Sequence, residues 1–263
     1  MPATEIDFPN LALGRSAFSP RAFGDALAGW WDASDPATLT LNGARVSAWA
    51  DKSGRGRTAF QSSTTQMPTF QAAGRNARPS LRFDTTQYQH LRLFGAEGLP
   101  AGQGASTVVA QAFINPTSSY YYAVDWGDPS GSYRRVGSGG GKAAALSGQF
   151  QQAADSFSGE DRAVVWSVTG GGAPVSTLYI DGGPGQMTAL APATTAATQG
   201  AIGAAAYGAN AYGSFWPGDV QEVVILNRAV TAAEADLLAG YLAWKWNRQD
   251  RLPADHPWRR AAP

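Results

Sequence analysis

Only one part of this 263-residue chain carries apolar residues at helical spacing, and it lies near the end: "TAAEADLLAGYLAWKWN", residues 231–247. Leu237, Leu238, Tyr241, Leu242 and Trp246 make one apolar flank there. Thr231 followed three residues later by Glu234 is a capping-box start. Everything between Leu27 and Leu226 is written instead in short alternating or fully apolar runs divided by Gly, Pro, Asn and Asp. With no helical segments between those runs, the spacing points to a sandwich or a barrel and not to βαβ units.

The runs are easily placed. "LTLNGARVSAWA" (39–50) alternates on both sides of Asn42-Gly43, a hairpin signal whose type I′ turn needs positive φ at both central residues. Further strands are expected at 80–84, 88–94, 106–114, 120–126, 162–170 and 176–183. Val220, Val223, Val224, Ile225 and Leu226 form a nearly continuous apolar run, the pattern of a strand buried on both faces. The helix that follows is expected to cover an open edge or end of the sandwich. Residues 1–25 read differently. Pro2, Pro9 and Pro20 deny donors to a ladder, while Ile6, Phe8, Leu11, Leu13, Phe18 and Phe23 need burial that an isolated arm cannot supply. We read 1–25 as a docking arm and 26–263 as one domain.

Composition excludes several functions. Twenty basic residues balance twenty acidic ones, whereas a nucleic-acid binder normally carries a basic excess. Cysteine is absent, so disulfides and thiolate metal sites cannot form. His90 and His256 are the only imidazoles, which leaves little room for zinc enzymes or histidine triads. Both read as packing or loop residues. No stretch approaches the roughly 20 apolar residues of a membrane helix, and "MPATEIDFPN" lacks the regions of a secretory signal, so synthesis and folding in a cytoplasm are expected.

Several segments together resemble the concanavalin A-like lectin/glucanase jelly roll in its laminin G-like form. They are Leu178 to Gly182, Ile202-Gly203, Phe215 with Gly218, Val220 to Leu226, and Asn227 to Glu234. The front half, "WWDASD…VSAWADKSG…PSLRFD", and the ending "LPADHPW" are similar to a subgroup frequent in bacteriophage structural proteins and bacterial surface proteins. The resemblance spans about residues 27–258 and implies an all-β, two-sheet antiparallel jelly-roll sandwich with one C-terminal helix. It implies less about function, because that fold hosts lectins, hydrolases and interaction modules.

The residues narrow the choice. Glucanases of this fold carry a Glu-x-Asp-x-(x)-Glu strand that sets carboxylates on one face. No such string occurs; the nearest, Asp219 with Glu222, lie three residues apart and point to opposite faces of a regular strand. "GEDR" (159–162) reads as a solvated turn, and "GSGGGK" (137–142) as a turn without the context of a phosphate loop. The resemblance also raises calcium, for which Asp51, or Asp125 with Asp128, would offer oxygen ligands. The simpler reading has Asp51 and Asp128 stabilising turns. No other cofactor is expected. For sugars, a site needs exposed aromatic faces beside amides or carboxylates. Tyr120, Tyr122, Trp126 and Tyr133 flank one loop region, and Tyr207, Asn210, Tyr212 and Trp216 another. Among these, Tyr207 and Tyr212 sit between small residues with few apolar neighbours to bury them. Trp30, Trp31, Trp49, Trp166, Trp244 and Trp246 are assigned to the core or the helix contact.

A lectin-like domain without a signal sequence is reconciled by a virion. The expectation is a non-enzymatic structural component of a phage or phage-like particle (decoration, fibre or tail), assembled in the host cytoplasm. It would be docked to other virion proteins by the arm, be homo-oligomeric, with a trimer the form that particle symmetry suggests, and face host-surface glycans. The alternative is a bacterial carbohydrate-binding lectin or a glycoside hydrolase with a non-standard site.

Overall fold

A computed structural model describes residues 18–93, 96, 98–128, 132–147, 149–190, 198–208 and 210–263. Within them the chain is all-β, with a single α-helix, α1 (Ala232–Lys245), and short 3-10 turns. Seventeen of the strands pair antiparallel in one continuous network. One branch runs β15 (Gln186–Ala189), β14 (Val175–Ile180), β13 (Asp161–Val168), β8 (Ser106–Ile114) and β19 (Gly218–Leu226). The free edge of β19 is shared: β6 (Arg78–Phe83) takes its first residues and β1 (Leu27–Asp32) its last.

The other branch runs β12 (Gln149–Ser156), β11 (Lys142–Ser147), β10 (Ser132–Gly139), β9 (Tyr121–Asp128), β16 (Gln199–Ile202) and β7 (Leu91–Leu93). It continues through β4 (Ala59–Phe60) and β3 (Arg45–Trp49) to β2 (Leu39–Asn42). Strand β5 (Thr69–Arg75) joins the branches by pairing with both β6 and β3. A separate hairpin, β17 (Ala205–Gly208) and β18 (Ala211–Gly213), stands beside β9. One hydrophobic core draws on both branches, and Trp31, Trp49, Trp126, Trp166, Trp216 and Trp246 are fully buried in it.

Strand β19 is buried along its whole length, as its apolar run predicts. Helix α1 starts as its capping box predicts: the Thr231 hydroxyl accepts from Glu234 N–H while the Glu234 carboxylate accepts from Thr231 N–H. Its placement differs from expectation. The helix lies over a face of the first branch, not over an edge, because that face carries a buried carboxylate in need of donors. Glu222 Oε1 accepts from Trp30 Nε1 at 2.6 Å and Tyr241 Oη at 2.7 Å. Its Oε2 accepts from Trp246 Nε1 at 2.8 Å and lies 2.9 Å from Lys245 Nζ. Lys245 also reaches Asp32, which Lys52 and Ser34 hold as well. Burial alone would raise the Asp32 carboxyl, but Lys245, Lys52 and Ser34 outweigh it and leave its pKa below the ordinary value. Burial and the neighbouring Glu222 charge push the Tyr241 phenol far up, so it remains a neutral donor.

Three other expectations change. Asn42 pairs with Arg45 across the first hairpin, and of the hairpin residues only Gly43 has positive φ, at 62°. The turn is therefore centred on Gly43-Ala44 and is not type I′. In β19 a bulge intervenes: Asp219 pairs with Phe113 and Glu222 with Gln111, two residues apart on β8. The extra residue brings Asp219 and Glu222 onto one face, against the opposite-face reading of a regular strand. Finally, the end of the expected arm is not free. Phe23 is buried in the core, and Phe18 packs edge-on against Phe23 and Tyr241, because those rings can lose water only against the sandwich. Residues 1–17 lie outside the described part.

Thr231→Ala is expected to lower stability by about 1 kcal/mol through loss of the cap, read from urea unfolding. Glu222→Gln should cost about 1–3 kcal/mol, because an amide nitrogen would replace one of the two oxygens that accept from buried donors. A Glu222→Gln midpoint equal to that of the parent would show that the carboxylate does not hold the helix.

Candidate functional site

The second branch carries its own buried ion pair on β9 and β10. Asp125 and Arg135 are cross-strand partners, with Arg135 Nε 2.9 Å from Asp125 Oδ1. Together they clasp one residue of the β17–β18 hairpin. Asp125 Oδ2 accepts from Ala206 N–H at 2.6 Å, and Arg135 Nη2 donates to Ala206 C=O at 3.1 Å. Burial pushes the Asp125 carboxyl up to about 6, while Arg135 and the Ala206 N–H pull the other way.

The Arg135 guanidinium lies 3.6 Å from the Tyr133 ring centre, 5.0 Å from that of Tyr207 and 5.2 Å from that of Tyr122. Tyr122 is buried, Tyr133 half-buried, and Tyr207 is 48% exposed. The Tyr207 hydroxyl lies 2.9 Å from Ser214 Oγ, and its ring crosses Gly213, where a Cβ would approach to 3.0 Å. Tyr207 is thus an exposed aromatic face on a braced support.

Asn210, at the hairpin tip, takes the left-handed backbone with φ 65° and is exposed. Its Oδ1 accepts from Arg92 Nη2, and Arg92 Nε donates to the Tyr212 hydroxyl at 3.2 Å. Tyr212 stacks on His90 with ring centres 4.3 Å apart. Burial, then Arg92, lower the His90 pKa despite the opposing Tyr88 carbonyl, so the neutral ring donates from Nδ1 to Tyr88 C=O at 2.9 Å. Tyr88 is 58% exposed and meets Phe215 edge-on at 5.3 Å. The hairpin therefore presents Tyr207 near Arg135, and a Tyr88, Phe215 and Tyr212 cluster near Arg92.

Of the eight residues flanking the two expected loop regions, five fall in this region: Tyr122, Tyr133, Tyr207, Asn210 and Tyr212. Tyr133 and Tyr207, read as parts of separate loops, meet at Arg135. Trp126 and Trp216 do not belong to it. Strand alternation turns Trp126 to the side opposite Asp125, and its Nε1 donates to Pro100 C=O at 3.0 Å. Trp216 packs on Phe157 and donates to Phe113 C=O at 3.0 Å. Both indoles are wholly buried and offer no face to a ligand. Tyr88, Arg92, Arg135 and Phe215 were missed, since nothing local marks a charge that pairing brings to the hairpin from β7 or β10, or a ring that stands in the turn before β7 or after β18.

Two of the three calcium candidates are hydrogen-bonded within the fold. Asp51 is occupied by Trp30 N–H at 2.9 Å, Ser53 N–H at 2.7 Å and Ser53 Oγ at 2.6 Å, the turn role of the simpler reading. Asp125 is committed to Arg135 and Ala206. The Asp128 side chain lies outside the described part. Among the described residues, no three His, Asp or Glu side chains are placed to hold a metal.

No protein-family model matches the chain, and no curated protein matches it. Its likeness is to solved structures. The binding domain of Paraclostridial Mosquitocidal Protein 1 aligns with TM-score 0.56 at 12% identity, over 83% of this chain and 52% of that one. The receptor binding domain of botulinum neurotoxin D aligns with TM-score 0.56 at 9% identity, over 82% and 53%. Domain 4 of an extracellular GH43 arabinanase from Geobacillus stearothermophilus, solved in complex with arabinotriose, aligns with TM-score 0.52 at 14% identity, over 81% and 98%. The chain thus spans nearly all of the arabinanase domain but only about half the length of the two toxin chains. At such identities the likeness is one of fold.

Asp125 makes the clasp pH-dependent. Its folded pKa of about 6 stands above the ordinary 3.8, so folding takes up a proton there between those values. The resulting stabilisation is full below the ordinary value and is lost as pH rises through about 6. Across that window the parent protein should lose roughly 3 kcal/mol through this group. Asp125→Asn should flatten that part of the profile, as urea unfolding at stepped pH would show.

Proposed function

We propose that this chain is a non-catalytic glycan-binding domain with the two-sheet topology of a concanavalin A-like jelly roll. In this reading it is displayed on the outside of a phage or phage-like particle. The observation that carries the binding role is Tyr207: an exposed ring, braced by Arg135, Ser214 and Gly213, on the same hairpin as the Asn210 amide. Such a ring stacks on the C–H face of a pyranose or furanose, and amide and guanidinium groups hydrogen-bond its hydroxyls. Two of the structural neighbours are named as binding domains, and a third was solved with a trisaccharide.

The non-catalytic reading is supported by the state of the acidic residues. Asp219 and Glu222, although the bulge brings them to one face, are both wholly buried. Arg75, Arg82 and Ser80 occupy Asp219, while two indoles, Tyr241 and Lys245 occupy Glu222. Neither is placed to receive a sugar or a water. The particle role rests on the resemblance of the front half and the "LPADHPW" ending to phage structural proteins. Docking to other virion proteins then belongs to residues ahead of Phe18, since Phe18 and Phe23 are engaged by the sandwich.

On a glycan array, the domain should bind at least one bacterial surface polysaccharide. Tyr207→Ala should weaken that binding at least tenfold, about 1.4 kcal/mol, without shifting the unfolding midpoint. β-Glucans, alginates and arabinans should stay uncut over long incubation. Release of reducing ends would favour the hydrolase, and failure to co-purify with particles would favour a free lectin.

A further inference from the structure

A cleft lies on the other branch, where α1 ends, and plays no part in the hairpin surface. It encloses about 390 Å³ and is walled by the β5–β6 turn, the turn entering β13, and the segment following the helix. That volume is within the range of small-ligand sites and fits one or two sugar rings.

Its floor is held rigidly by Asp161. This buried carboxylate accepts from Gln111 Nε2 and Asn76 Nδ2, each at 2.6 Å, and lies 2.5 Å from Arg248 Nη1. Arg75 lies over the Phe113 ring and donates Nε to Asp219 at 3.0 Å. Among the described residues its two Nη groups have no protein acceptor, and the side chain lines the cleft part-exposed. At the rim, Arg251 sits 2.8 Å from Glu160, and the Asp250 carboxylate is 73% exposed.

We infer that this cleft is a second ligand site, built for a neutral polyhydroxylated ligand of one or two sugar rings. The chemistry favours that class. Three guanidinium groups (Arg75, Arg248, Arg251) meet three lining carboxylates (Glu160, Asp161, Asp250), and each arginine already has a carboxylate at ion-pair distance. No net charge remains in the lining to draw an anion. What remains is a mixture of directional donors, the Arg75 Nη groups, and acceptors, the outer oxygens of Asp250 and Glu160. Vicinal hydroxyls, each both donor and acceptor, match that mixture. An apolar ligand is disfavoured because Arg75 covers Phe113. Pairing so many charges under partial burial does little for stability, but it leaves a polar surface already oriented for a ligand.

The test uses the full chain and calorimetric titration with arabinotriose, maltotriose and cellotriose, with 3′-sialyllactose and inorganic phosphate as anionic probes. In a Tyr207→Ala background, which removes the hairpin face, at least one neutral trisaccharide should still bind. Asp250→Asn and Arg251→Gln, both at the exposed rim, should each weaken it at least fivefold with no change in unfolding midpoint. The anionic probes should bind no more tightly than the neutral ones. The inference is overturned if no neutral trisaccharide binds the Tyr207→Ala protein, if binding there ignores both rim substitutions, or if phosphate binds best and is lost in Arg251→Gln. Binding abolished by Tyr207→Ala alone would remove the cleft and leave the hairpin reading standing. Binding indifferent to Tyr207→Ala but lost in the rim variants would do the reverse.

Discussion

A carboxylate that cannot reach water organises one half of this protein. Glu222, wholly buried in the middle of β19, takes hydrogen bonds from Trp30 on β1 and from Tyr241 and Trp246 at the end of the helix segment, and pairs with Lys245. An uncompensated buried charge is so costly that each donor must arrive in place for the core to close. The helix therefore lies over a sheet face and is registered by its last turn, while Thr231 and Glu234 fix its first. Lys245 extends the arrangement to Asp32, and Lys52 from there to Asp35, tying the β1 loop and the segment after β3 to the same point.

The opposite branch repeats the device with a different result. Asp125 and Arg135 form a buried pair that is spent on the N–H and C=O of one residue, Ala206, and so fastens a two-stranded hairpin outside the main network. Because burial raises the pKa of the Asp125 carboxyl, this pair responds to pH. Because Arg135 is ringed by Tyr122, Tyr133 and Tyr207, the same pair that fastens the hairpin also sets the pose of its exposed ring. Stability and presentation of the candidate surface are thus coupled through two side chains.

The two clusters also bear on catalysis and binding in contrasting ways. The acidic residues on β19 are consumed by the fold. The aromatic residues on and near the hairpin are only partly consumed, and Tyr207 and Tyr88 keep faces toward solvent. In the proposed reading, sealed strand carboxylates and exposed tyrosines suit a surface that holds a polar ligand.

Local rules were enough for much of this. Period-two alternation marks the strands, an unbroken apolar run marks β19 as buried on both faces, and Thr231 with Glu234 marks the helix start, since each depends only on neighbours in the chain. Tyr207 and Tyr212 stood out because small residues around them leave nothing local to bury a ring. What the chain could not reveal by itself were relations set by pairing across long separations. The bulge that brings Asp219 and Glu222 to one face exists only opposite β8. Trp126 and Trp216 read as flanking the sugar-binding loops until the core closes over them. Arg135 comes beneath Tyr207 and Arg92 against the hairpin tip only when β10, β9, β16 and β7 are laid side by side. Phe18 and Phe23 looked like an arm because proline removes ladder donors, yet a ring needs only a wall to be buried, and the tertiary structure supplied one.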